Sequence, residues 1–326
     1  AHAPVLREGQ ALSERACAEL SRLVARHGAR FRRRGVERLV PRRSQQDNKY
    51  SAGAVLVIGG STGLTGAPCL TATAAQRTGA GIVWACVPAS LNAVFEQRLL
   101  EVMTVPCPDD EQGRLVPDAL DTIIDSMGRA GAVALGPGLG RSDGTRELVR
   151  RLVGAVEVPL VIDADALWAL SGAVELVSER DAPSVLTPHA GELARLLETD
   201  SASIGEHRLE SVQEAARLAD AVVLLKGADT IVADSSSTEV LVNELGTPGL
   251  ATAGTGDVLT GIVAALLSKG MTPRMAAAVG SALSGLATRS AAGRAGEPGL
   301  LASDIVWSIS PTLAAAPPPG AARQTP

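Results

Sequence analysis

Short apolar runs rich in β-branched residues recur along the middle of the chain, each followed by glycine or a polar residue and then by a stretch of helical spacing. Ala54 to Ile58 (AVLVI) ends at Gly59-Gly60 and leads into a helical stretch entered through Gly63 and Gly66, before Ile82 to Val87 (IVWACV) begins. The unit repeats without sequence identity. Ala132 to Leu135 precedes Gly136 to Gly140 (GPGLG) and a helix near Asp143 to Val153. Leu160 to Ile162 precedes Asp163, Ala164 and Asp165. Ser184 to Leu186 precedes Thr187 to Glu192 (TPHAGE) and a helix through Leu197, and a helix near Ser211 to Ala219 precedes Val222 to Leu225 and Lys226-Gly227. Thr230 to Ala233 and Thr238 to Val242 read as a β-ribbon, because Asp234 to Ser237 is turn material. Strands alternating with helices predict an α/β fold with a central, mostly parallel sheet flanked by helices on both faces.

Gly59, Gly136, Asp163, Thr187 and Lys226 each come directly after an apolar strand. In an open parallel sheet, ligands bind beyond the carboxyl ends of the strands, so these five loops are expected to converge on one crevice. The stretch Gly246 to Gly270 completes the pattern. A glycine-rich loop runs into a helix, Asp257 to Lys269, whose Val258, Leu259, Ile262, Val263, Leu266 and Leu267 form an apolar stripe. The first turn of such a helix has backbone N–H groups without intrahelical partners, and the dipole adds positive potential, so Ala253, Gly254, Thr255 and Gly256 can form an anion hole. Asp257 at its mouth is either an N-terminal cap or a base facing a substrate hydroxyl. A last helix is expected from Pro273 to Ala292.

Other side chains also carry two readings. His189 is a packed residue or a binding residue at the crevice edge, and it has no second ligand at zinc spacing. Asp163 and Asp165 are caps for the next helix or ligand contacts. Lys226 pairs a phosphate, lends only its Gly-Ala backbone to a nucleotide, or is solvated. There is no Walker-type lysine after the GTGD turn and no G-x-S-x-G elbow, which leaves phosphate chemistry without a P-loop.

Composition narrows the partners. The 326 residues carry 46% apolar, 20% charged and 2% aromatic residues with a net charge of −5, which suits a soluble globular chain and argues against base stacking or a polyanion partner. The four cysteines form no C-x-x-C pair and read as free thiols. No apolar run is long enough to span a membrane and no leader pattern is evident, so a cytoplasmic location is expected. Residues 1–48 read as a basic N-terminal arm or docking segment, with a helix over Ser13 to Ala29 and the basic stretch Arg30 to Arg43; residues 49–310 form the main domain and 311–326 a disordered tail rich in Ala and Pro.

With these residues in view, the chain resembles the ADP- or ATP-dependent NAD(P)H-hydrate dehydratase family of the ribokinase-like superfamily. The matching segments are VLVIGGSTGLTGAP, RTGAGIV, ALGPGLG, VIDADAL, LTPHAGELARLL, LLKGADTIVAD and LATAGTGDVLTGIVAALLSKG, in family order over about Lys49 to Ile309. The resemblance implies a metabolite-repair enzyme that phosphorylates the hydroxyl of S-epimeric 6-hydroxylated NADH or NADPH from ADP or ATP and then eliminates phosphate. It implies Mg²⁺ bound mainly through nucleotide phosphates, a homotetramer, and a possible separate epimerase partner, with no nucleic acid and no membrane. Carried over, Ala67, Gly138, His189 and Asp257 would bind the hydrated dinucleotide, with Asp257 catalytic, and Lys226, Gly227, Ala228, Asp229, Thr230 and Gly256 would line the adenine nucleotide. Thr247 stands where relatives commonly have Asn, Ala190 where Pro is frequent, and the N-terminal epimerase domain of many relatives has no counterpart in residues 1–48. A small-molecule kinase of a vitamin-like alcohol shares the AGTGD loop and is the rival enzyme. A nucleotide-sensing module would follow if Asp257 were only a cap.

Overall fold

The computed structural model describes residues 29–30, 36–42 and 44–314. Ten strands form one sheet: β1 (Ala29–Arg30), β2 (Ala54–Ile58), β3 (Ile82–Pro88), β4 (Met103–Cys107), β5 (Ala132–Leu135), β6 (Leu160–Ile162), β7 (Ser184–Leu186), β8 (Val222–Leu225), β9 (Thr230–Asp234) and β10 (Ser237–Asn243). Their order is β1-β10-β9-β8-β7-β6-β5-β2-β3-β4, and β9 alone among them is antiparallel to its neighbours. The principal helices are α1 (Val36–Leu39), α2 (Gly66–Arg77), α3 (Asn92–Arg98), α4 (Leu120–Met127), α5 (Asp143–Ala155), α6 (Asp165–Ala169), α7 (Ala190–Leu196), α8 (Ser201–Glu206), α9 (Arg208–Ala219), α10 (Thr255–Ser268), α11 (Pro273–Ala295) and α12 (Ala302–Ala314).

Alternation along the buried strands divides the core in two. Val55 and Val57 of β2 face a layer with α2, α10, α11 and α12, while Leu56 and Ile58 face one with α4, α5, α6, α7 and α9. Because β2 and β5 to β8 are buried throughout, their sequences are unbroken apolar runs. α10 is also buried on every side from Val258 to Leu267, which fits a helix apolar all round. It approaches α2 closely at Gly261, where a Cβ would lie 2.1 Å from the Thr71 carbonyl oxygen.

Two expectations change, and one strand went unread. The anticipated helix from Ser13 lies outside the described residues except at its end: Ala29 is extended and, with Arg30, pairs in parallel with Leu241 and Val242. Of the basic stretch, residues 31–35 and 43 lie outside the described set, and Val36 and Val40 are buried in the core shared with α11. The tail boundary at Pro311 falls inside α12, because burial of Ile305 and Ile309 holds that helix together and proline there removes only one backbone donor; residues 315–326 lie outside the described set. Strand β4 escapes a sequence reading because it carries Pro106 and an exposed pattern, which an edge position tolerates.

Candidate active site

The residues that follow the strands line up in a row. Gly136 N–H donates to Ile58 O, Asp163 N–H to Leu135 O, and Thr187 N–H to Ile162 O, each at 3.1 Å, so each residue continues its neighbour's ladder by one step. Lys226 N–H then donates to Pro188 O at 2.8 Å. Gly136 has φ +126°, and a Cβ there would lie 1.9 Å from the Asp163 carbonyl oxygen, so only glycine lets these two loops meet. The predicted convergence of loops is therefore a hydrogen-bonded edge.

Asp163 sits at the centre, 2% exposed. Its Oδ1 accepts from Lys226 Nζ at 2.8 Å and its Oδ2 from Thr260 Oγ1 at 2.7 Å. Neither Asp163 nor Asp165 hydrogen-bonds as a side-chain cap of α6; Asp165 Oδ2 instead accepts from the Gly140 N–H at 3.0 Å, bracing the GPGLG loop. The Lys226 ammonium also lies 3.6 Å from Glu192 Oε2. These carboxylates hold the Lys226 pKa above its ordinary value, although burial of the ammonium opposes them more strongly than any single partner. A solvated lysine is thus excluded, and its charge faces inward rather than toward the exposed Gly227 and Ala228.

His189 caps α7. Its Nδ1 accepts from the Gly191 and Glu192 N–H groups at 3.0 and 3.3 Å, and Glu192 Oε2 accepts from the His189 N–H at 2.8 Å. This reciprocal box requires an imidazole unprotonated at Nδ1, consistent with a pKa lowered by burial first and by Lys226 second. The ring remains 55% exposed, so His189 is at once a cap and a surface of the crevice. Glu192 has its pKa raised by burial, with Lys226 opposing.

The start of α10 lies over this cluster. A Cβ on Gly256 would be 3.4 Å from Lys226 Nζ and 3.7 Å from Asp163 Oδ2. Gly254, at φ +89°, precedes the helix without a side-chain cap. The Thr255 N–H is used by Thr252 O at 3.3 Å, which removes it from the expected anion hole; the Gly256 and Asp257 N–H groups have no protein acceptor among the described residues. The Asp257 carboxylate likewise has no hydrogen-bond donor among them, so it does not cap the helix. Burial, and next the Asp163 charge, push its pKa up to about 7.

The opposite wall comes from α2. Thr71 Oγ1 donates to Asp257 O at 3.0 Å and to Ala67 O at 3.1 Å, and the Ala67 Cβ lies 3.2 Å from where a Gly138 Cβ would stand. Ala67, Gly138 and Asp257 therefore share one face of the crevice. Among the residues expected to line a nucleotide, Arg208 Nη2 donates to Asp229 O at 2.6 Å and packs on Gly227, while Thr230 begins β9 opposite Asn243. Thr247 turns its Oγ1 inward, buried and without a partner.

Sequence reasoning did not find Thr260, Glu192 or Arg208. Glu192 had a signal, since it stands three residues after a capping residue. Thr260 lies one helical turn beyond Gly256, and only the fold brings it to Asp163.

The mainly parallel sheet, with an uncapped helix N-terminus at its carboxyl edge, is a ribokinase-like fold by its likeness to solved structures. A solved ribokinase-like superfamily protein from Enterococcus faecalis V583 superposes with a TM-score of 0.74 at 22% identity, covering 88% of this chain and 95% of that one. Residues 55–311 match a family model described as NAD(P)H-hydrate dehydratase, and the chain belongs to that family. It is 45% identical over 267 residues to the bifunctional NAD(P)H-hydrate repair enzyme Nnr of Moorella thermoacetica and 41% identical over 277 residues to that of Salinibacter ruber. These matches cover 82% and 84% of this chain and 50% of each relative, so the chain spans about half the length of these curated relatives. The solved ADP/ATP-dependent NAD(P)H-hydrate dehydratase from Bacillus subtilis, co-crystallised with ATP and Mg²⁺, gives a TM-score of 0.74 at 25% identity over 86% of this chain and 96% of that one.

Proposed function

We propose that this chain dehydrates the S-epimer of hydrated NADH or NADPH at the expense of ADP or ATP. The observation that carries this reading is a carboxylate titrating near neutrality, without a hydrogen-bond donor among the described residues, beside bare helix amides and a buried ammonium. Asp257 takes the proton of the 6-hydroxyl as that oxygen attacks the terminal phosphorus, and the bond from phosphorus to the bridging oxygen breaks, leaving AMP or ADP. A pKa near the working pH suits this transfer. The Gly256 and Asp257 amides and the α10 dipole stabilise charge on the phosphoryl oxygens in flight. The ring nitrogen's electron pair then expels phosphate from C6, and loss of a C5 proton restores the dihydronicotinamide.

Ala67, Gly138 and the open face of His189 bind the hydrated dinucleotide; Gly227 to Thr230 line the adenine nucleotide. Lys226 contributes by holding the Asp163 carboxylate in place rather than by reaching outward. Mg²⁺ would be carried mainly on the nucleotide phosphate oxygens, since it keeps most of its waters and needs few protein ligands. Such an ion would neutralise charge on the phosphates. A cytoplasmic homotetramer, fed by an epimerase activity, completes the proposal. Among the described residues no helix is long and apolar enough to cross a membrane.

The test supplies hydrated NADH with ADP or ATP and follows recovery of the dihydronicotinamide absorbance. Recovery that depends on nucleotide is expected. Turnover of a vitamin-like alcohol without any recovery would replace this reading by that of a kinase.

A further inference from the structure

The mechanism above does not use Arg141, whose charge is felt at His189. Arg141 follows the GPGLG loop, and its side chain is 49% exposed. Its Nε donates to Asp165 Oδ1 at 2.9 Å, while Asp165 Oδ2 takes the Gly140 N–H. One carboxylate, 13% exposed, thus fixes both the loop and the arginine. The guanidinium also lies 5.8 Å from the centroid of the Trp168 ring, which Arg146 approaches at 4.4 Å. With Nε committed, Nη1 and Nη2 of Arg141 have no protein acceptor among the described residues. What remains is a planar donor fork on a fixed stem, the geometry that binds phosphate oxygens in pairs.

The fork lies near the reacting end. Gly140, which Asp165 ties to Arg141, is two residues from Gly138, and Gly138 meets Ala67 on the Asp257 face. The charges of Arg141 and Asp165 are felt at His189 and Asp257 respectively. Arg114, itself paired with Asp110 at 2.8 Å, packs on Gly140 and donates from Nη1 to the Arg141 carbonyl at 3.3 Å, which steadies the Arg141 backbone.

A dinucleotide held with its nicotinamide ring at Asp257 presents its pyrophosphate one ribose away. We propose that Arg141, anchored by Asp165 and backed by Trp168, binds this pyrophosphate and so sets the preference for a dinucleotide over a shorter hydrated nicotinamide. The inference rests on the dehydratase reading.

The experiment compares hydrated NADH with hydrated reduced nicotinamide riboside, which lacks phosphate, in the wild type, Arg141→Ala and Arg141→Lys, with ADP and, in parallel, ATP as donor. Arg141→Ala should raise KM for hydrated NADH at least about ten-fold, on the scale of a lost charged contact, and shrink the kcat/KM advantage of dinucleotide over riboside by the same factor. KM for ADP should stay within about two-fold, Arg141→Lys should keep part of the preference, and the rise of KM with added KCl should flatten in Arg141→Ala. If both substrates lose kcat/KM equally, Arg141 only braces Asp165 and the proposal falls while the dehydratase reading stands. If the wild type turns over neither hydrated substrate, the dehydratase reading fails instead, and calorimetric binding of NADPH decides the contact: weaker binding to Arg141→Ala supports it, and equal affinity overturns it.

Discussion

Two carboxylates on facing elements behave in opposite ways. Asp163, at the end of β6, has each oxygen occupied by a donor at under 3 Å and is almost fully buried. Asp257, in the first turn of α10, has no such donor among the described residues, and burial with the Asp163 charge pushes its pKa up to about 7. The contrast teaches how one site can hold a carboxylate locked between two donors beside one left free to exchange a proton. Lys226 and Thr260 fix the first carboxylate in place, and its charge discourages ionisation of the second.

The comparison is broken most severely at Asp257. Asp257→Asn should lower kcat roughly 10²- to 10⁴-fold while leaving nucleotide affinity near the wild-type value, because a positioned base is lost without a change of volume. Stopped turnover assays with parallel nucleotide titration check this; undiminished kcat would return Asp257 to a structural role. Asp163→Ala acts on the other carboxylate. It leaves the Lys226 ammonium facing only the weaker Glu192 contact at 3.6 Å, and should destabilise the fold by about 3–5 kcal/mol, read from urea midpoints. A loss below about 1 kcal/mol would mean that Asp163 is not holding a desolvated charge.

The third prediction sharpens the contrast through pH. Because the folded pKa of Asp257 is raised from 3.8 to about 7, the native state binds this proton more tightly than the unfolded chain does in between. Its contribution is fully present below about pH 4 and is lost as pH rises through 7. The wild type should therefore lose stability relative to Asp257→Asn between pH 5 and pH 8, by on the order of 2 kcal/mol. Parallel pH profiles for the two proteins would show that the carboxylate is not desolvated as described.

Much of the scaffold was legible because the central strands are buried on both faces. Their unbroken runs, AVLVI, AVAL, LVI, SVL and VVLL, coincide with β2, β5, β6, β7 and β8 residue for residue. The edges were not legible: β4 carries a proline, and β1 is two residues whose extension depends on pairing with β10. At the site, the row of loop residues could be read from order alone, since a parallel sheet places every strand end on one side. Partner choice could not. Nothing local says that Lys226 turns to Asp163, 63 residues away, or that Thr260 completes that carboxylate from 97 residues away. His189 defied an either-or reading, because its ring caps α7 through Nδ1 and lies 3.4 Å from Glu192 through Nε2 while staying 55% exposed.

The bare Cα of Gly261 against the Thr71 carbonyl has a dynamic consequence. With no side chain between them, α2 and α10 are clamped at a fixed spacing, and Thr71 adds a bridge from Ala67 to Asp257. Asp257 and the wall beside Gly138 are thereby tied to each other. Any opening of the cleft to admit or release a molecule falls to the other bank, where Gly227 and Ala228 lie exposed.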